Sequence, residues 1–332
     1  MFLRFDNESI RLSGRWDRRG ETAWYKKIES AATTTTGSTI EFAFTGKMAV
    51  MHFDVEWNEH PYPHLWISVD NGAKVEVPLD NFIRVEAETY GLHTVKVIYK
   101  SCVEMQHRWN EPLIGKIAFC GIEVDKGATL YEDNRKTIEF VGDSITEGVL
   151  IDANYNPHSN DQHNRVYQDD VTATYAYLTA QNLNLHPVFM GYGATGLTHG
   201  GCGSVPRAIE AYPYCYHNAP NTCRADYIVI NHGANDQRSS AEEYIKDYEA
   251  FLTSVRNLNP TAQIIVLSPF CGAFADELES FVPEYNLKYN DKIFFINSKG
   301  WVPSEPIHPL RDGHKIIAEH LTERLRKLLN LD

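Results

Sequence analysis

Thr137-Ile138-Glu139-Phe140-Val141-Gly142-Asp143-Ser144-Ile145-Thr146 is the stretch that decides the fold. Its first five residues form a mainly apolar run of the length and composition of a buried strand in a parallel sheet. Gly142 and Asp143 then break it, so Ser144 falls at the carboxyl end of the strand, the edge at which open α/β sheets hold their ligands.

Beyond this strand the pattern alternates. Helical spacing over 171–183, 241–257 and 313–329 is interleaved with short apolar runs at 188–190, 227–230, 264–267 and 293–296. Strand and helix in alternation predict a doubly wound parallel sheet with helices on both faces. Ahead of residue 125 the rhythm is different. Runs at 39–44, 50–55, 65–69, 75–77, 93–99 and 117–124 alternate at period two, with Asp70-Asn71-Gly72 and Tyr90-Gly91 as turns. That is the pattern of an antiparallel sandwich. The change of rhythm across the polar stretch 132–136 sets an expected boundary, with 1–132 a β-sandwich and 133–332 the α/β domain. No internal repeat is visible.

Composition narrows the function classes. The chain has 332 residues, 43% of them hydrophobic, enough for two medium cores. A formal net charge of −13 gives no basic footprint for nucleic acid and disfavours an anionic membrane surface. The first residues lack the basic start and apolar core of a secretion signal, and no apolar run is long enough to span a bilayer, so a cytoplasmic location is expected. The six cysteines show no CxxC or other zinc-ligand spacing. Cys215 and Cys223 could close a loop in an oxidising compartment, but reduced thiols are expected here. A homo-oligomer stays open, with no stretch reading as an interface.

Four short segments carry chemistry: Gly142-Asp143-Ser144-Ile145-Thr146, Gly193-Ala194-Thr195-Gly196, Gly233-Ala234-Asn235-Asp236 and Ile307-His308-Pro309. Covalent ester hydrolysis needs a nucleophile, a base and donors aimed at the developing oxyanion. Ser144 supplies the first and His308 the second. The backbone N–H groups of Ser144 and Gly196 and the side-chain amide of Asn235 are the candidate donors. Set and order resemble the SGNH (GDSL) hydrolase family, whose four blocks are named for Ser, Gly, Asn and His. The resemblance covers about the last 200 residues. With the front-half segments Leu12-Ser13-Gly14-Arg15-Trp16-Asp17, Gly37-Ser38-Thr39-Ile40-Glu41-Phe42 and Gly91-Leu92-His93-Thr94-Val95, the chain resembles the two-domain carbohydrate esterases of family two. That implies an α/β fold of the SGNH-hydrolase-like (flavodoxin-like) three-layer kind, preceded by a jelly-roll-like β-sandwich. It also implies removal of O-acetyl groups from sugars, with no metal or other cofactor.

One departure stands out: where the family usually has Asp three residues before the catalytic His, this chain has Glu305. Glu305 either orients the imidazole or points to solvent while a backbone carbonyl does so. Position 146 is Thr, so the Gly-x-Ser-x-Gly elbow of α/β-hydrolases is lacking.

Each residue also has a structural reading. Ser144 could merely cap the following helix, and Asp143 order the turn through Asx-type bonds, although it is also a candidate substrate contact. Gly196 could serve only a positive φ. His314 rivals His308 as base but falls in the first turn of the last predicted helix. The long polar loops at 152–170 and 200–224 are expected to set specificity, with Tyr212, Tyr214 and, nearer the second block, Tyr192 as candidate sugar contacts. His158 and His163 read as solvated loop histidines, not metal ligands. Two other readings remain: an SGNH lipase or thioesterase acting on a longer acyl chain, and a carbohydrate-binding protein with an inert hydrolase domain.

Overall fold

The computed structural model describes residues 1–20, 29–129, 132–152 and 165–331. The front half holds β1 (Phe2–Arg4), β2 (Ile10–Ser13), β3 (Ala31–Thr33), β4 (Thr39–Phe53), β5 (His64–Val69), β6 (Val75–Pro78), β7 (Phe82–Ser101), β8 (Ile117–Val124) and β9 (Ala128–Thr129). They form one antiparallel sheet with the main path β1-β8-β4-β7-β5-β6, wrapped around a core that includes Phe42, Phe44, Met51, Leu65, Val95, Phe119 and Ile122.

Two expectations need correction here. The runs at 39–44 and 50–55 belong to one strand, β4, and Tyr90-Gly91 is no turn, because β7 runs straight through it. Gly91 pairs with Gly46 of β4, where the register shifts. The two glycines mark a bulge where long strands bend, and bends of this kind take glycine as readily as turns do. Asp70-Asn71-Gly72 is a turn: Asp70 and Asn71 both have positive φ and Gly72 N–H donates to Val69 O at 2.8 Å.

The back half runs β10 (Thr137–Gly142), α1 (Ser144–Glu147), α2 (Arg165–Gln168), α3 (Tyr175–Asn182), β11 (His186–Gly191), α4 (Ala208–Ala211), β12 (Tyr214–Tyr216), β13 (Ala219–Pro220), β14 (Tyr227–Asn231), α5 (Ala241–Leu258), β15 (Gln263–Leu267), α6 (Ala275–Tyr289), β16 (Phe294–Ile296) and α7 (Arg311–Leu329). Its five-stranded parallel sheet has the order β11-β10-β14-β15-β16, the 2-1-3-4-5 arrangement of flavodoxin-like folds. In that order the strand sequence reverses next to β10, so ligands are expected beyond the carboxyl ends of β10 and its neighbours. Helix α5 shows why such segments fold as they do. Tyr244, Tyr248, Phe251, Leu252 and Val255 make one buried stripe, and the Ser240 hydroxyl accepts from Glu243 N–H at the start. Helix α6 was not expected, since Pro283 and a largely polar sequence disguise it.

The halves share a core. Ala32, Trp109, Leu113 and Ala118 of the front pack in the same cluster as Val141, Met190, Tyr192 and Ile230 of the back. Gly37 (φ +83°) lies so close to the Phe189 ring that a Cβ would come within 2.1 Å of it. Among the described residues no helix is long and apolar enough to cross a membrane, and all six cysteines are free.

Candidate active site

Ser144 opens α1 immediately after β10. Asp143 caps it, with Oδ1 accepting from Ile145 N–H at 3.0 Å, so Asp143 does order the turn. His308 comes from the loop before α7, which is fastened at Arg311. The Arg311 N–H donates to Ile151 O at 3.1 Å, and its guanidinium donates to both oxygens of Asp152 at 2.7 and 2.6 Å. Two segments 164 residues apart in sequence thereby place Ser144 Oγ 2.8 Å from His308 Nε2. Asn235, from the loop after β14, is the third member of the group: its Nδ2 donates to Asp143 Oδ2 at 3.0 Å and to Thr195 O at 3.3 Å.

These residues line a small cavity of about 140 Å³, closed also by Ile145, Ala194, Ala234, Cys202, Ile307 and Glu104. A larger cleft, about 1400 Å³, lies elsewhere, between β5, β6 and the first half of β7, and its described lining holds no such pair. Burial lowers the His308 pKa below the ordinary histidine value, the negative charge of Glu104 opposes that and the positive charge of Arg165 adds to it. The imidazole is thus neutral and able to accept a proton near neutrality. Burial pushes Asp143 up to about 7, against the pull of the Ile145 N–H. His314 is buried, accepts from Tyr175 N–H through Nδ1 at 3.0 Å, and is pushed down to about 3 by burial. It is part of the scaffold.

Several expected residues are not brought to the site. The N–H of Gly196 donates to His199 O at 3.1 Å within its own loop, so, like the Asn235 amide, it would have to give up a bond to serve an oxyanion. Position 196 is glycine for a packing reason: a Cβ would stand 2.5 Å from the Asp236 carboxylate, which accepts from the N–H groups of Leu197 and Thr198. Glu305 is exposed and makes no hydrogen bond to His308 among the described residues, so it does not orient the imidazole. Tyr192 and Tyr212 are fully buried; the first bonds Thr34, Thr35 and the Cys215 carbonyl, the second Glu139. Tyr214 is partly exposed but packs edge-on against Trp109, outside the cavity. The tyrosines were chosen for ring and loop position, and burial in the shared core overrides that. His158 and His163 lie outside the described residues. Among the described residues no cluster of three or more His, Cys, Asp or Glu side chains could hold a metal ion.

Three contributors escaped the sequence. Ala194 reaches the cavity by a left-handed backbone (φ +56°), rare for alanine. His199 Nε2 lies 2.9 Å from the Asn235 carbonyl oxygen and braces the asparagine loop. Glu104 arrives from the antiparallel half, and no spacing signal ties it to Ser144.

A flavodoxin-like sheet with a Ser–His pair and an asparagine amide at the carboxyl ends of its first and third strands defines an acyl hydrolase of the SGNH class. The chain belongs to the GDSL-like lipase/acylhydrolase family, whose family model matches residues 140–316, over half the chain. Among solved structures it is similar to a family two carbohydrate esterase from Cellvibrio japonicus, at 19% identity and TM-score 0.79 over 100% of this chain and 98% of that one. A family two carbohydrate esterase from Clostridium thermocellum in complex with cellohexaose matches at 21% identity and TM-score 0.74, covering 97% and 100%. An acetyl xylan esterase from the rumen bacterium Butyrivibrio proteoclasticus matches at 18% and 0.75, covering 100% and 99%. At such identities the likeness establishes the fold, both halves included. No curated protein matches the chain in sequence.

Proposed function

We propose that this protein is a serine esterase that removes acetyl groups from the hydroxyls of a carbohydrate. The observation that carries the reading is the 2.8 Å contact between Ser144 Oγ and His308 Nε2 inside a cavity of about 140 Å³. His308 takes the hydroxyl proton as Ser144 Oγ bonds to the ester carbonyl carbon. The carbonyl oxygen becomes an oxyanion, held by the Ser144 N–H and by Asn235 Nδ2, whose longer bond to Thr195 O gives way. Collapse breaks the ester C–O bond and His308 returns the proton to the sugar oxygen. Water, deprotonated by the same imidazole, then releases acetate from acetyl-Ser144. The volume supports a small acyl group, well under the 300 Å³ or so at which pockets for drug-sized ligands begin. Family two carbohydrate esterases with the same two-part fold support the carbohydrate.

The test is an NMR panel of acetylated mono- and oligosaccharides with wild type and Ser144→Ala. Wild type should remove acetyl signals and the folded variant should not; deacetylation by Ser144→Ala at the wild-type rate would overturn the mechanism.

A further inference from the structure

Glu104 lies three residues beyond the end of β7 and is one of the residues that line the Ser144 cavity. The side chain is held: Oε1 accepts from Arg165 Nη2 at 2.7 Å, and the Glu104 side chain as a whole is 15% exposed. Oε2 rests over Gly193, where a Cβ would come within 2.3 Å of it. Among the described residues nothing donates to Oε2. A carboxylate oxygen only accepts, so Oε2 is left to water in the free protein and to a donor on the substrate when one is bound. The chemistry of the cavity brings one where the ester sits on a secondary ring carbon of a sugar, because the next ring carbon then carries a hydroxyl.

We propose that Glu104 is a specificity-determining residue whose Oε2 accepts a hydrogen bond from a free hydroxyl vicinal to the scissile ester on the alcohol half of the substrate. The inference rests on the esterase reading above and adds a recognition group supplied by the antiparallel half. An O–H bond to an ionised carboxylate is about twice as strong as a neutral one. A site built to receive a hydroxyl rejects the analogue without it, because its own polar group is then left unpaired.

Two small esters isolate that hydroxyl: 2-hydroxyethyl acetate and ethyl acetate. Acetate release is measured for both, each kcat/KM is divided by the rate constant with hydroxide alone, and the ratio of the two is taken for wild type, Glu104→Gln and Glu104→Ala. Because both esters are compared on the same protein, any general loss of activity cancels. Wild type should favour the hydroxy ester by about 10- to 100-fold, the worth of a charged hydrogen bond. Glu104→Ala should bring the ratio close to one, with Glu104→Gln, which keeps an acceptor but no charge, in between. A wild-type ratio near one overturns the proposal, and so does a ratio that Glu104→Gln leaves unchanged. Equal losses on both esters with a shifted acid limb, the mark of a carboxylate acting only through His308, also overturn it. A protein that prefers the hydroxy ester yet leaves acetylated sugars intact would instead sink the carbohydrate assignment and keep the role of Glu104.

Discussion

Arg108, in the loop between β7 and β8, sets Nη1 2.6 Å from Oε1 of Glu147 at the end of the turn that carries Ser144. Both side chains are buried, and the contact is ionic rather than a directed hydrogen bond. Arg15 makes a second buried pair beneath β10, here with hydrogen bonds donated by Nε and Nη2 to Glu139 Oε1 at 3.0 and 2.8 Å. The antiparallel half thus fastens itself under both the nucleophile's strand and its turn.

Removing one member of a buried ion pair leaves the other charge unpaired. Glu147→Gln is therefore expected to cost about 3–5 kcal/mol of unfolding free energy, read from urea denaturation, and to lower esterase turnover in the remaining folded protein. Replacing both partners with Arg108→Met and Glu147→Leu should cost less than the single change. A single variant within about 0.5 kcal/mol of wild type would make the pair a bystander.

Asn235→Ala removes one donor to the proposed oxyanion. A fall of about 10²–10³ in kcat with the fold intact is expected, measured with an aryl acetate. Gly196→Ala should behave differently. The added methyl meets Asp236, so the loss should appear first as reduced thermal stability, and a Gly196→Ala protein as stable as wild type would overturn the packing reason for the glycine.

Glu305→Ala tests the other correction. An exposed side chain without a bond to His308 should change kcat/KM by no more than about 2-fold, since surface substitutions of this kind are close to neutral. A hundredfold loss would mean that the loop moves Glu305 onto the imidazole during turnover.

What the sequence conveyed and what it hid divide along physical lines. Ser144, Asn235 and His308 were legible because each sits in a short segment whose spacing from a strand end or helix start is local information. The parallel sheet was legible for the same reason, its strands being continuous apolar runs. Glu104 was not, since it reaches Ser144 only through the packing of two halves, and nothing around Cys102-Val103-Glu104-Met105 records that. The bulge at Gly46 and Gly91 and the burial of Tyr192 and Tyr212 are likewise products of long-range pairing. Glu305 differs in another way: residue type and position fitted the chemistry, while its side chain is exposed and makes no bond to His308.

The pH profile follows from His308. The base must be neutral, so kcat/KM falls as pH drops through the His308 pKa. Burial holds that value below the usual 6.5, hence activity should persist into mildly acidic solution, with a midpoint under 6.5. Asp143, pushed up to about 7, offers a distinguishable alternative. An acid limb centred near 7 that vanishes in Asp143→Asn would assign the titration to the cap instead of the base.

Acyl length is the sharpest test of the cavity. A cavity of about 140 Å³ is of the size that takes one small organic group. Acetyl fits within that and octanoyl does not, so kcat/KM along a series of aryl esters should drop by at least about tenfold between acetate and octanoate. Ile145 is buried at the cavity wall, and Ile145→Ala should raise the rate on butyrate relative to acetate, at a stability cost of about 2–5 kcal/mol. Because the relative rates are measured on one protein, that cost does not obscure the shift. A wild-type preference for octanoate would move the protein to the lipase side of its family and leave the small cavity without a role in selecting the acyl group.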